Sequence, residues 1–251
     1  MLIRSKHRML APLLTYAAFY LLMGCSSSST SFYDNFQNQK NSEHQGTFQK
    51  VSIYMEHNAS DNDTEIVISA KGNDIGLKNV WLRNPDGKEV LNISAENQDL
   101  GLREIDLETP EPENAKRITE QYPEGLYTFI GQTVDNKWLV STATLSHSLP
   151  SQMALSVNAK PSSSNPSTAP LPNQEIIVSW ALKPRITAYY LEVENKSKSN
   201  RIHLTLPAST SSISIPRYWF TGNETYSFNI QARNQDGNVT TSEVSRDIAI
   251  F

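Results

Sequence analysis

Phe220-Thr221-Gly222-Asn223-Glu224-Thr225-Tyr226-Ser227-Phe228-Asn229-Ile230-Gln231-Ala232-Arg233-Asn234-Gln235-Asp236-Gly237 is the stretch on which the fold of this chain turns. Phe228, Ile230 and Ala232 alternate with polar residues, and a period of two is what a half-buried strand requires. The run ends in Asn234-Gln235-Asp236-Gly237-Asn238, a turn signal. Past the turn, Val244, Ile248 and Ile250 share a face that suits the last strand of a sandwich. The other face, Phe251, Ala249, Asp247 and Ser245, is too polar for lipid, so the terminal Phe251 does not mark an outer-membrane barrel.

The same alternation extends upstream. Met153, Leu155 and Val157 form a first strand after Leu149-Pro150, and Lys160 to Pro172, rich in Ser, Pro and Asn, reads as a long loop behind it. Ile176-Ile177-Val178-Ser179-Trp180 resembles the second strand of a fibronectin type III module with its core tryptophan. Ala188-Tyr189-Tyr190-Leu191-Glu192-Val193 resembles the third, and Ser211 to Ile215 fits the strand before the last hairpin. Thr225 and Tyr226 match the family's Thr-x-Tyr, Phe220 stands where Leu is usual, and the corner proline is missing. The resemblance spans roughly the last hundred residues, the usual size of such a sandwich, and implies that the Tyr226 hydroxyl bonds back to the chain. It also implies binding, spacing or adhesion and carries no catalytic centre with it; no Arg-Gly-Asp tripeptide occurs. Fold analogy alone proves no function.

The first half alternates as well. Val51, Ile53 and Met55, then Ile66 and Ile68, then Val80 and Leu82 read as strands, the last ahead of the turn Asn84-Pro85-Asp86-Gly87. Leu126 to Leu145 reads as a hairpin around Asp135-Asn136-Lys137. Glu113 to Gln121, entered past Pro110 and Pro112 and closed by Pro123, is the one expected helix. The segment Tyr122-Pro123-Glu124-Gly125-Leu126-Tyr127-Thr128-Phe129 resembles uncharacterised exported bacterial proteins, which brings no activity with it. The expected architecture is all-β, two tandem β-sandwiches of immunoglobulin or fibronectin III type over 47–149 and 150–251, the first with a short helical insert.

Residues 1–24 read as a secretory leader. Arg4, Lys6 and Arg8 precede an apolar run from Met9 to Met23, too short to span a membrane comfortably. Leu22-Met23-Gly24-Cys25 resembles the bacterial lipobox, which implies acylation of Cys25 and cleavage before it. Cys25 is the only cysteine, so lipid explains it better than a disulfide; an ordinary secreted protein with one cysteine is the plainer alternative. Several acyl chains anchor permanently where one does not. Ser26 after the cysteine implies, by the family's sorting pattern in a Gram-negative host, the outer membrane. Residues 25–46, Ser, Asn and Gln with Phe32, Tyr33 and Phe36, have the composition of a flexible tether. The aromatic trio reads as a docking motif, or as residues that graze the membrane or the folded part.

Of 22 Lys and Arg, three lie in the leader, leaving 19 against 26 Asp and Glu, a net charge of −7. Such a chain repels phosphate backbones, and no nucleic-acid partner is expected. The expected partners are membrane lipid through acylated Cys25 and an envelope protein or polysaccharide.

Chemistry has few candidates. His44, His57, His147 and His203 read as solvated, and no Gly-x-Ser-x-Gly elbow accompanies them, so no catalytic residue is assigned. No zinc spacing and no cofactor motif occurs. Asp61, Asp63 and Glu65 could hold calcium, although the run lacks the Gly and distant Glu of a hand-type loop and reads equally as a turn. Glu108, Glu111 and Glu113 suit a helix start. Glycoside hydrolysis needs two carboxylates about 5 to 10 Å apart, which the sequence neither supports nor removes. Sugar binding would fall to Tyr189 and Tyr190 or to Tyr218, Trp219 and Phe220, most of which belong in a core. The functional expectation is a lipid-anchored, non-catalytic binding or spacer module. A carbohydrate-binding module and a hydrolase with its site between the domains are the alternatives.

Overall fold

The computed structural model describes residues 45–97, 99–110, 115–158, 175–198 and 200–248. The leader, the lipobox, Cys25, nearly all of the tether, the loop at 160–172, Glu111, Glu113, Ile250 and Phe251 lie outside them. No described helix is long and apolar enough to cross a membrane.

Fifteen strands and little helix make up the described chain. In the first half they are β1 (Gln45–Gly46), β2 (Lys50–Asn58), β3 (Asp63–Lys71), β4 (Leu77–Arg83), β5 (Glu89–Ser94), β6 (Glu104–Glu108), β7 (Gly125–Thr133) and β8 (Trp138–Leu145). The helix α1 (Ala115–Gln121) separates β6 from β7. The second half holds β9 (Leu155–Val157), β10 (Ile176–Trp180), β11 (Ile186–Asn195), β12 (Arg201–Pro207), β13 (Ser212–Ile215), β14 (Glu224–Asn234) and β15 (Val239–Ile248), with a 3-10 turn at Arg217–Trp219. This is the tandem sandwich expected of the alternation.

Apart from β1, the halves share one strand order. In each, the first, second and fifth strands form one sheet, and the fourth, third, sixth and seventh lie side by side in the other. Two cores result. The first gathers Ile53, Met55, Ile66, Ile68, Val80, Leu82, Tyr127 and Phe129, with Ile118 of α1. The second gathers Val178, Trp180, Tyr189, Leu191, Val193, Phe220, Tyr226, Phe228 and Ile230. Each large apolar side chain fully buried contributes roughly 1.5–3 kcal/mol, offset largely by chain entropy.

Three hairpin turns are built alike. In Asn84 to Lys88, Thr133 to Lys137 and Asn234 to Asn238 the first residue's amide donates to the last residue's carbonyl, at 2.9, 2.9 and 3.0 Å. The first residue's side-chain oxygen accepts the last residue's amide in return. The fourth residue of each, Gly87, Asn136 or Gly237, has φ between 63° and 89°, which glycine and asparagine adopt most easily.

The halves are not two beads on a string. β15 pairs in parallel with β2, Val239 opposite Glu56 and Thr241 opposite Asn58, so one seven-stranded sheet runs β12-β11-β14-β15-β2-β3-β6 through both. Residues 146–150, which connect the halves, are held against the same joint.

Candidate functional site

Each half has a tyrosine anchored where the chain enters the sixth strand of its sandwich. Tyr226, 1% exposed, accepts the Thr221 amide at 2.7 Å and the Asn195 side-chain amide at 3.1 Å. That is the corner the fibronectin type III resemblance implied. Its counterpart is Tyr127, fully buried, whose hydroxyl donates to the Pro123 carbonyl at 3.0 Å. Burial pushes the Tyr127 phenol well above its ordinary range. In the sequence the signal for this second corner is the Tyr-x-Phe parity of Tyr127 and Phe129, which matches that of Tyr226 and Phe228.

The joint is the most heavily hydrogen-bonded place where the halves meet. Asn238, with no exposed surface, accepts the Met55 amide at 2.9 Å and donates to the Ser146 and Ser148 carbonyls at 2.8 and 3.0 Å. Asn234 donates to the Ser148 carbonyl and Thr240 to the Pro150 carbonyl at 2.8 Å. On the far side, the Ala59 amide donates to Thr241 and the Glu243 amide to Ser60 Oγ at 2.9 Å. These polar side chains satisfy backbone groups rather than converge on a cavity, which is what buried polar groups require.

The outward face of the seven-stranded sheet crosses this joint. Gln231 reaches the Glu56 carboxylate at 3.4 Å, and the Arg233 guanidinium lies 5.5 Å from the Tyr54 ring centre. Burial pushes the Glu56 carboxyl up, and the charges of Glu108 and Asp63 push it further. Burial also acts upward on Glu243, but the Ser227 hydroxyl and the Lys196 ammonium hold its carboxyl below the ordinary range.

In the second half this face sinks into an open groove of about 280 Å³. Tyr190 stands between Thr205 of β12 and Gln231 of β14, and Glu192 between His203 and Asn229. His203 Nδ1 lies 3.2 Å from Glu192, which Arg201 also approaches at 3.7 Å. Planar hydrogen-bonding groups thus surround one half-buried phenol ring.

The expected site residues separate. Tyr189 is fully buried against Trp180, with ring centres 5.6 Å apart, and cannot offer a face to a ligand; its parity is that of Leu191 and Val193. Trp219 packs on Phe220 and Tyr226, 5.1 and 5.8 Å away, as part of the corner. Tyr218 is 89% exposed, and Tyr190 alone of the four lines the groove. Among the described residues no three acidic, His or Cys side chains gather as a metal would need. Asp61 instead accepts from the Asn58 side chain at 2.7 Å, tightening the β2–β3 turn. Two histidines are less solvated than expected. His57 Nδ1 meets the Asp63 carbonyl at 2.7 Å, and His147 Nε2 the Tyr122 carbonyl at 2.8 Å.

No family model matches the chain. No curated protein matches it either. Among solved structures it is similar to the FN1–FN3 domains of chicken CNTN1, at 13% identity over 82% of this chain and 66% of that one, with a TM-score of 0.32. It spans less than two thirds of that segment's length. A two fibronectin type III domain segment of chicken tenascin shows 9% identity over 82% and 100%, with a TM-score of 0.30. The Clostridium perfringens spore cortex lytic enzyme SleM shows 20% identity over 39% and 28%, with a TM-score of 0.28. By strand order, core tryptophan and tyrosine corner, the second half of the chain is a fibronectin type III-like sandwich.

Proposed function

We propose that the protein is a non-catalytic binding or spacer module of the cell envelope, held by lipid on Cys25 and presenting its second sandwich at a fixed attitude. The observation that supports this reading is the joint. A sheet that continues across it, with Asn238 sealing the connection, removes the swivel that tandem modules have by default. A fixed attitude serves a spacer or scaffold. The anchor rests on Leu22-Met23-Gly24-Cys25. In a Gram-negative host Ser26 points it to the outer membrane. Cell fractionation with mass spectrometry of the amino-terminal peptide tests it, comparing wild type with Cys25→Ser. An acylated Cys25 peptide in membranes, absent from the variant, supports the reading; an unmodified soluble peptide overturns it.

A second reading, a carbohydrate-binding module, is favoured by the groove around Tyr190. Stacking on an aromatic ring flanked by Asn229, Gln231 and Glu192 suits a polyhydroxylated ring. Binding of isolated envelope polysaccharide, measured for wild type and Tyr190→Ala, decides it: a loss of about tenfold in the variant favours the reading, and equal or absent binding removes it.

A further inference from the structure

Register lines up one row of side chains across four strands of the seven-stranded sheet. Thr205 of β12 stands opposite Tyr190 of β11, Tyr190 opposite Gln231 of β14, and Gln231 opposite Thr241 of β15. All four line the groove, and none carries a charge. The row spans three strand spacings, about 14 Å. Charged side chains beside it are already answered: Glu192 by Arg201 at 3.7 Å and Glu243 by Lys196 at 3.1 Å, while Arg233 lies over the Tyr54 ring. At the first-half end Glu56 has Glu65 opposite it on β3, and carboxylates there repel an anionic chain.

Gln231 donates to the Glu56 carboxylate of the first half at 3.4 Å, reaching over β15, the strand that lies between β14 and β2. Glu56 stands opposite Val239, two residues from Thr241, so this bridge passes diagonally over β15. The Thr241 hydroxyl is shut from solvent and has no hydrogen-bond partner among the described residues. A buried hydroxyl left unbonded is costly, and a bond of 3.4 Å is long and weak. A group that displaces Gln231 from Glu56 gives up the weak bond and satisfies the hydroxyl.

We infer that the groove binds a neutral polysaccharide chain laid across the strands, with one sugar on Tyr190 and another between Thr241 and Glu56, so that the site belongs to both halves. The inference rests on the carbohydrate reading of the groove. A ring hydroxyl in the place of the Gln231 amide accepts from the Thr241 hydroxyl and donates to the Glu56 carboxylate. Gln231 turns to the neighbouring sugar, to which its amide offers a donor and an acceptor. The parallel pairing of β15 with β2 sets the spacing of Thr241 and Glu56, which makes the joint part of the binding surface as well as a brace.

Titration calorimetry of the protein with neutral hexasaccharides of glucose and of N-acetylglucosamine, with hexagalacturonate and with isolated envelope polysaccharide tests it. Binding of a neutral hexasaccharide is expected to weaken about tenfold in Tyr190→Ala and about fivefold in Thr241→Val and in Glu56→Ala. The melting temperature of ligand-free Thr241→Val is expected to be no lower than that of wild type, since the hydroxyl has no protein partner to lose. If Glu56→Ala fails to fold, Thr241→Val decides alone. Wild-type affinity in Thr241→Val and Glu56→Ala, with binding lost in Tyr190→Ala, overturns the inference and leaves the carbohydrate reading standing in the second half. Tighter binding of hexagalacturonate than of the neutral chains also overturns it, as does binding of the envelope polysaccharide without any neutral hexasaccharide. If the wild type binds none of the four, the reading and the inference fall together.

Discussion

Asn238 and Met55 stand 183 residues apart in the chain, and the Asn238 side-chain carbonyl accepts the Met55 amide at 2.9 Å inside the joint between the two sandwiches. The Asn238 side-chain nitrogen donates to the Ser146 and Ser148 carbonyls of the connecting segment, so one side chain ties its own turn to β2 and to that segment.

Asn238→Ala leaves a buried amide and two carbonyls without this partner. The expected cost is about 2–4 kcal/mol, more than a surface change and less than a collapsed core. Urea unfolding followed by tryptophan fluorescence and by circular dichroism checks it. The unaltered chain is expected to show coincident transitions by the two probes, and the variant separate ones, because the joint is the link through which the halves can unfold together.

The two corner tyrosines predict unequal losses. Tyr226→Phe removes an acceptor for the Thr221 amide and the Asn195 side chain and is expected to cost about 1–3 kcal/mol. Tyr127→Phe removes one donor to Pro123 and is expected to cost about 1 kcal/mol. The tyrosines lie in different cores, so the double variant is expected to be additive in thermal denaturation.

Tyr189 and Tyr190 are adjacent in sequence and opposite in consequence. Tyr189→Ala opens a cavity in the second core and is expected to cost about 3–5 kcal/mol. Tyr190→Ala lies on the outward face and is expected to stay within about 1 kcal/mol of wild type. Comparable losses in chemical denaturation contradict the assignment of faces.

Glu56 makes stability depend on pH. Burial first, then Glu108 and Asp63, raise its carboxyl above the ordinary value, so the folded chain holds this proton where the unfolded chain has released it. The sign is that of a destabilising charge: its share of stability is favourable at low pH and lost as pH rises from the unfolded value through the folded one. Glu56→Gln keeps an acceptor for Gln231 and is expected to raise the melting temperature at pH 7 but not at pH 4. A lowered Tm at pH 7 contradicts this account.

Much of the fold was legible because strands carry their own signature. Phe228, Ile230 and Ala232 announced β14, Asn84-Pro85-Asp86-Gly87 the turn from β4 to β5, and Tyr226 the corner of the second sandwich. What escaped is non-local. Nothing in Val239-Thr240-Thr241 says that it will pair with Glu56 to Asn58, since a parallel pair between distant strands leaves no local pattern. Asn238 reads as one more turn residue until its partners are seen. Tyr189 is a different matter: the sequence offers it as a sugar-binding candidate, yet it shares parity with Leu191 and Val193, and that parity is a local signal that it lies inside. Trp81 and Trp138 interrupt the alternation of their strands because both sides of their sheet are apolar, which a two-sided pattern of polar and apolar residues does not anticipate.

The parallel pairing of β15 with β2 also sets an order of events. Asn58 leaves the ribosome long before Thr241, and each sandwich can assemble from contacts within its own half. The strand that closes the joint is the last described strand to be synthesised. Until it arrives, the β15 side of β2 is a bare strand edge, the kind of surface that invites wrong partners. A chain that stops before Val239 therefore loses more than a few contacts in the second sandwich: it leaves the first one permanently unsealed.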